Sequence, residues 1–176
     1  MNIHEELIHR CRAGDQDAHF RLYKLYSKAM FNVGYRITGS EADAEDVLQE
    51  AFISAFRNLD HYRGDATFGS WIKKIVVNKA INVLKKRKWE VMPEDEEFDV
   101  AEEEPVQEYL PELQVETVRK AIEQLPDGYR SVLSMYLLEG YDHQEIAEIM
   151  GISESTSKSQ LNRAKSKLRE LLSKKV

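Results

Sequence analysis

The chain has 176 residues, of which 42% are hydrophobic and 32% charged, and its net charge is −6. That composition is typical of a folded chain and excludes a disordered one, and no apolar run approaches the roughly 20 residues that span a bilayer. The N-terminal stretch lacks the apolar core of a signal peptide, and a single cysteine cannot form an internal disulfide. A cytoplasmic location is therefore expected.

The first part of the chain, residues 1–92, shows helical periodicity. Apolar positions predict helices over 3–36 with a break at 13–15, over 41–59, and over 66–89. Asp15 or Asp17 is expected to cap the helix after the break, and Ser40 the next one, because short polar side chains accept hydrogen bonds from the first free N–H groups of a helix.

The middle of the chain, residues 93–112, has ten acidic residues and no basic one. Removing that charge of −10 from the total of −6 leaves +4 for the rest of the chain. The segment also has three of the four prolines and little periodicity. These features predict an extended acidic linker.

The last part, residues 113–176, again shows helical periodicity and no strand pattern. Helices are predicted over 113–125, 129–140, 142–151 and from about 153 onward. The predicted fold class is therefore all-α, with two small helical domains joined by the acidic linker.

Residues 143–165 have the spacing of a helix-turn-helix. A short helix would end at Gly151, where a left-handed backbone conformation suits glycine, and Ser153 or Ser155 would cap the next helix. From this motif alone, a DNA-binding helix-turn-helix is favoured over an ordinary helical corner of a bundle.

On a helical wheel, the second helix of this motif separates short side chains from long ones. The residues expected to face the first helix are Ser157, Leu161, Ala164 and Leu168. The outward centre consists of Ser155, Ser159, Asn162 and Ser166. The flanking cations are Lys158, Lys165, Arg163 and Lys167. Such a face suits the major groove, because short side chains permit close approach to base edges while cations reach the phosphates.

Two neighbouring segments of the first domain have opposite charge. Residues 41–50 have five acids and no base, and residues 66–89 have seven cations and no acid. The acidic segment indicates a docking face for a basic protein, or simply acids placed at a helix N-terminus. The basic segment also contains Phe68, Trp71 and Asn78, a combination that suits unstacked nucleic acid, although the aromatic residues could equally be core.

Taken together, DAEDVLQEAFISAFRNLDHYRGDATFGSWIKKIVVNKAINVLKKRK and LPDGYRSVLSMYLLEGYDHQEIAEIMGISESTSKSQLNRAKSKL resemble a bacterial RNA polymerase sigma factor of the extracytoplasmic function group. The resemblance implies that residues 1–92 bind core polymerase and the minus-ten promoter element, and that residues 113–176 bind the minus-thirty-five element. It implies that the acidic linker threads polymerase channels that otherwise hold nucleic acid. It also implies an anti-sigma factor as a partner.

The resemblance assigns three sets of site residues. The polymerase contacts would be Asp43, Asp46, Gln49 and Glu50. The residues that recognise and melt the minus-ten element would be Phe68, Trp71, Lys74, Asn78, Asn82, Lys85 and Arg87. Those that read the minus-thirty-five element would be Ser155, Lys158, Ser159, Asn162, Arg163 and Lys167. The chain departs from the family pattern at Asn82, where an acid is common, and at Ser157, where an apolar β-branched residue is usual.

Two alternatives remain from the residues alone. One is a conventional helix-turn-helix regulator with a sensory or dimerising N-terminal domain, and the other is a helical protein-interaction module. Neither an enzyme nor a cofactor is expected, since no catalytic constellation or phosphate-binding loop is present. Cys11 with His4 and His9 fits no zinc spacing, and His143 is predicted to be an isolated surface or capping residue.

Overall fold

The computed structural model describes residues 2–87 and 114–174, and these are helical with no strand among them. The chain divides after Arg87 into two compact units. The all-α prediction is confirmed. The predicted acidic linker, 93–112, lies outside the described residues.

The first unit has four α-helices. They are α1 (Ile3–Arg12), α2 (Gln16–Thr38), α3 (Glu41–Arg57) and α4 (Phe68–Lys86), with a short 3₁₀ turn at Leu59–His61. Helices α2, α3 and α4 pack against one another, and α1 packs on α2. Their apolar faces meet in a core with fully buried Leu22, Ile37, Ile72 and Ile81.

The helix starts of the first unit follow the expected capping chemistry. The side chain of Asp15, the first of the two predicted alternatives, accepts from Ala18 N, and that of Ser40 accepts from Asp43 N. Thr67 caps α4 in the same way, accepting from Ser70 N. Each cap satisfies a backbone donor that the helix itself leaves unpaired.

Four α-helices lie in the described part of the second unit, residues 114–174. They are α5 (Val115–Glu123), α6 (Asp127–Leu133), α7 (His143–Met150) and α8 (Glu154–Ser173). Helix α8 packs against α5, α6 and α7. The predicted single helix over 129–140 is instead α6 followed by a π-helical turn at Ser134–Leu138, which ends with the Glu139 N–H donating to Ser134 O at 3.0 Å.

Candidate polymerase and nucleic-acid interfaces

The predicted polymerase contacts lie together on α3. At 100° per residue, Asp43, Asp46, Gln49 and Glu50 occupy one sector of about 120°. The buried residues of α3 lie on the other side, among them Ala44, Ala51 and Ala55, which are fully buried against the core. Helix α3 therefore shows an acidic and amide face to solvent while its apolar face holds it to the rest of the unit.

The same acidic face contains an apolar residue that sequence reasoning missed. Ile53 is 52% exposed, and it lies four residues after Gln49 and three after Glu50, on the same side of α3. Single exposed apolar residues are common on protein surfaces, but one within a charged face can supply the apolar centre of a protein contact with a polar rim. The signal was available in the sequence, because Ile53 falls outside the apolar stripe of α3.

Asp43 differs from the other three polymerase candidates because it is already paired. Its carboxylate forms an ion pair with the guanidinium of Arg87, the residue that follows α4. Arg87 also donates from Nη1 to Thr38 O at 3.3 Å. The structure thus brings a predicted polymerase contact and a predicted DNA contact together at the end of the first unit.

Five of the seven predicted minus-ten residues form one stripe along α4. Within a sector of about 80°, the stripe consists of Trp71, Lys74, Asn78, Asn82 and Lys85. Lys74, Asn82 and Lys85 are exposed, whereas Trp71 and Asn78 are half-buried. Asn78 donates from Nδ2 to Lys74 O at 2.9 Å. The stripe combines an aromatic ring, amides and cations.

The other two predicted minus-ten residues are placed differently. Arg87 lies roughly opposite the stripe at the helix end, and Phe68 is only 2% exposed. The ring of Phe68 packs against Trp71 at 5.7 Å, Tyr62 at 5.8 Å and Tyr26 at 5.1 Å between centroids. Phe68 therefore supports the half-exposed Trp71 from beneath and shows almost no surface of its own.

Helices α7 and α8 form the expected helix-turn-helix corner. Gly151 has φ 70° and ψ 36°, the left-handed conformation that the motif requires. Ser153 caps α8, since its side chain accepts from Thr156 N. On α8, the buried residues are Ser157, Gln160, Leu161 and Ala164. Gln160 was not predicted to face inward, and the predicted Leu168 is half-buried.

The predicted minus-thirty-five residues lie outside that buried face, with Lys167 at its edge, next to Gln160 on the helical wheel. Ser155 and Lys158 are exposed, and Ser159, Asn162, Arg163 and Lys167 are half-buried. Ser159 Oγ donates to Ser155 O at 3.1 Å, so the hydroxyl is held close to the helix. The Lys167 ammonium lies 3.3 Å from the Glu170 carboxylate. The outward face is short at its centre and cationic at its edges.

Ser157, the departure noted in the sequence, is explained by His143. Ser157 is fully buried, and its Oγ is hydrogen-bonded to Nδ1 of His143 at 2.8 Å, which links the start of α7 to α8. The His143 ring also stacks on Tyr136 with centroids 4.6 Å apart. The prediction that His143 is an isolated surface or capping residue is wrong, since Asp142 is the cap of α7.

The surroundings of His143 favour the neutral form of its imidazole. Burial lowers the pKa of His143 most, and the nearby Lys158 lowers it further; Asp142 and Glu154 oppose this, and Lys165 adds the smallest lowering effect. Lys158 is itself a predicted DNA contact, and its charge also acts on the imidazole that is hydrogen-bonded to Ser157.

The described residues contain neither a metal-ligating cluster nor a membrane-spanning helix. No group of three His, Cys, Asp or Glu side chains in residues 2–87 and 114–174 is arranged to hold a metal ion. Within the same ranges no helix combines the length and apolarity needed to cross a membrane.

Comparisons with known proteins bear on both units. Residues 22–90 match the family described as Sigma-70 region 2, and residues 116–168 match Sigma-70, region 4. The chain is 33% identical over 183 residues to the ECF RNA polymerase sigma-E factor of Escherichia coli (strain K12), covering 97% of this chain and 92% of that protein. It is 29% identical over 157 residues to the ECF RNA polymerase sigma factor SigE of Mycolicibacterium smegmatis, covering 87% of this chain and 61% of that longer protein.

A solved structure is similar in fold. The sigma factor RpoE, crystallised with the anti-sigma factor NepR from Bartonella quintana, matches with a TM-score of 0.57 and 24% identity, covering 87% of this chain and 95% of that one.

Region 2 followed by region 4 defines a sigma-70-type transcription initiation factor, a class without enzymatic activity. The chain belongs to the ECF RNA polymerase sigma factors, which confirms the resemblance seen in its motifs.

Proposed function

We propose that this chain binds RNA polymerase core through the outer face of α3, melts the minus-ten promoter element with α4 and reads the minus-thirty-five element with α8. The observation that carries the proposal is the stripe on α4. Its aromatic ring, amides and cations lie on one accessible side of a helix whose other side is core. Neither a sensory domain nor a simple interaction module requires such a surface.

Polymerase docking rests on the acidic face of α3. Asp46, Gln49 and Glu50 are exposed and would meet a basic surface of the largest subunit, where complementary charge orients the encounter. Ile53 would supply the apolar centre of that contact. Asp43 would take part at the edge of the face, after exchanging its ion pair with Arg87 for a polymerase partner.

Minus-ten recognition rests on the stripe of α4. Trp71 would stack on an unpaired base, Asn78 and Asn82 would contact base edges, and Lys74 and Lys85 would hold phosphates, as single-stranded nucleic acid is commonly bound. Phe68, with 2% exposure, acts by supporting Trp71.

Minus-thirty-five recognition rests on the outward face of α8. Ser155, Ser159 and Asn162 are short enough to let the helix backbone approach base edges in the major groove. The cations Lys158, Arg163 and Lys167 would reach phosphates or guanine edges beside them. Such contacts alone predict only weak binding to duplex DNA without polymerase.

We also infer a cytoplasmic location and regulation by an anti-sigma factor. Solved relatives of similar fold are RpoE with NepR and CnrH with the cytosolic domain of CnrY, each a complex with another protein. A protein that displaces polymerase from α3 or DNA from α4 would hold the chain inactive.

The test of the proposed function is reconstitution. Purified protein is added to polymerase core and a genomic promoter library, and transcripts are mapped to their start sites. Initiation at a defined set of promoters above that of core alone is expected. Folded protein that never raises specific transcription above the core background would refute the proposal, and tight duplex binding without core would instead indicate a conventional regulator.

A further inference from the structure

The loop between α3 and α4, residues 58–67, joins the proposed polymerase helix to the proposed minus-ten helix. Two of its backbone carbonyls are bound by a side chain from α1. Arg12, the last residue of α1, donates from Nη2 to Leu59 O at 3.2 Å and to Tyr62 O at 2.5 Å, and from Nε to Leu59 O at 3.4 Å. The match to Sigma-70 region 2 begins only at residue 22, so α1 lies outside it.

The loop is closed on itself beyond the point that Arg12 holds. The Tyr62 hydroxyl donates to Ala66 O at 2.7 Å, and Gly64 between them has φ 79°. The Tyr62 ring packs on Trp71 at 5.3 Å between centroids. A shift of the Tyr62 backbone would therefore move the aromatic partner of the residue proposed to stack on a promoter base.

Helix α1 reaches the same region from its other end. The Tyr26 hydroxyl is hydrogen-bonded to Nδ1 of His4 at 2.9 Å, and the Tyr26 ring packs beneath Phe68. The fit there is close, since a Cβ at Gly69 would lie 3.2 Å from the Tyr26 ring. Helix α1 thus contacts both the 58–67 loop and Tyr26, the residue whose ring supports Phe68.

The contact suits arginine for a chemical reason. Leu59 O and Tyr62 O lie three residues apart along a bend, and a planar guanidinium with several donors bonds both at once. Bonds from a charged donor are stronger than neutral ones. A lysine has a single ammonium on a flexible stem and would not fix the two carbonyls at a set distance.

We propose that Arg12 is a positioning residue for minus-ten recognition: it holds the 58–67 loop so that Tyr62 keeps Trp71 in place for an unpaired promoter base. This inference rests on the proposed function of α4. It assigns to α1 a role in promoter selectivity and none in polymerase affinity.

The test compares selectivity at the two promoter elements. A promoter found by reconstitution with the wild-type protein is altered at the minus-ten or at the minus-thirty-five element, and initiation is measured as the ratio of original to altered template. In Arg12→Ala the minus-ten ratio is expected to fall about tenfold, on the scale of hydrogen bonds from a charged donor. The minus-thirty-five ratio and the affinity for core should be unchanged.

The controls separate positioning from folding. Arg21→Ala removes another exposed arginine, paired with Asp17 of its own helix, and should leave both ratios at the wild-type value. Arg12→Lys should give an intermediate minus-ten ratio. Tyr62→Phe keeps the ring but loses the bond to Ala66 O, and should lower the minus-ten ratio even if Arg12→Ala does not fold.

Three outcomes overturn the inference. They are an Arg12→Ala ratio at the minus-ten element within twofold of wild type, an equal loss at both elements together with core affinity, and, where Arg12→Ala does not fold, an unchanged ratio in Tyr62→Phe. Failure of the wild-type protein to initiate at all would instead refute the proposed function, so the two failures are distinguishable.

Discussion

Replacing Ser157 by alanine tests how α8 is held against α7. The hydroxyl is fully buried and lies 2.8 Å from His143 Nδ1. Ser157→Ala removes this bond and almost no volume, while His143 is half-buried and regains part of its lost hydrogen bonding from solvent. The change therefore isolates one hydrogen bond between α7 and α8.

The expected cost follows from the burial and the geometry. A well-formed hydrogen bond of this kind contributes about 0.5 to 1.5 kcal/mol net to stability, which corresponds to an increase of about 2- to 13-fold in local opening. Replacing the other partner, His143→Ala, should lower stability more because it also removes the stacking on Tyr136. The double variant should lose less stability than the sum of the two single variants, because both remove the same hydrogen bond.

Hydrogen exchange on the full chain measures this effect. Amides of α7 and of the first two turns of α8 should lose protection in Ser157→Ala, while those of α2 and α3 should keep theirs, because those helices belong to the other unit. Opening constants of α7 and α8 within twofold of wild type, or strict additivity in the double-mutant cycle, would refute the view that this bond joins the two helices.

Three further predictions concern charge. Asp46→Arg should abolish binding to core polymerase in a pull-down while the circular dichroism spectrum stays unchanged. Glu123→Arg on α5 is the matched charge reversal and should keep wild-type binding. Unaltered affinity in Asp46→Arg would refute α3 as the docking helix. Lys158→Ala and Arg163→Ala should each weaken minus-thirty-five-dependent initiation, with a loss of about 1 to 3 kcal/mol in binding free energy where a bidentate base contact is removed. A promoter response equal to wild type would contradict the assignment of α8 to the major groove. Because the pKa of His143 is lowered in the folded chain, the unfolded chain binds more protons below about pH 6.5, and stability should decline as the pH falls from there. In urea titrations from pH 8 to 5, His143→Gln should show a shallower decline, and identical slopes would count against a lowered His143 pKa.

Periodicity and capping predicted most of the fold because they are local properties. Ser40 and Gly151 could be placed from the sequence, since a cap acts on the next few residues of the chain. The π-helical turn at Ser134–Leu138 could not, because its apolar residues continue the same helical pattern.

The candidate site could be predicted only where its residues lie on a single helix. The stripe of α4 follows from spacing along a single element, but the ion pair of Asp43 with Arg87 joins residues of different helices. The same holds for Ser157, whose hydroxyl lies 2.8 Å from His143 Nδ1 on another helix. The burial of Phe68 could not be predicted either, because an aromatic residue in a basic segment can belong to the core or contact nucleic acid, and only its neighbours decide between the two.

The pair formed by Asp43 and Arg87 has a thermodynamic consequence. If polymerase takes Asp43 and promoter DNA takes Arg87, each partner must displace the same intramolecular bond, and the second to bind finds it already broken. Binding of the two partners is then reciprocal, so each raises the affinity of the other by the same factor. Since both side chains are partly exposed, that factor is at most about fivefold. A single surface ion pair would thus make the initiation complex slightly cooperative.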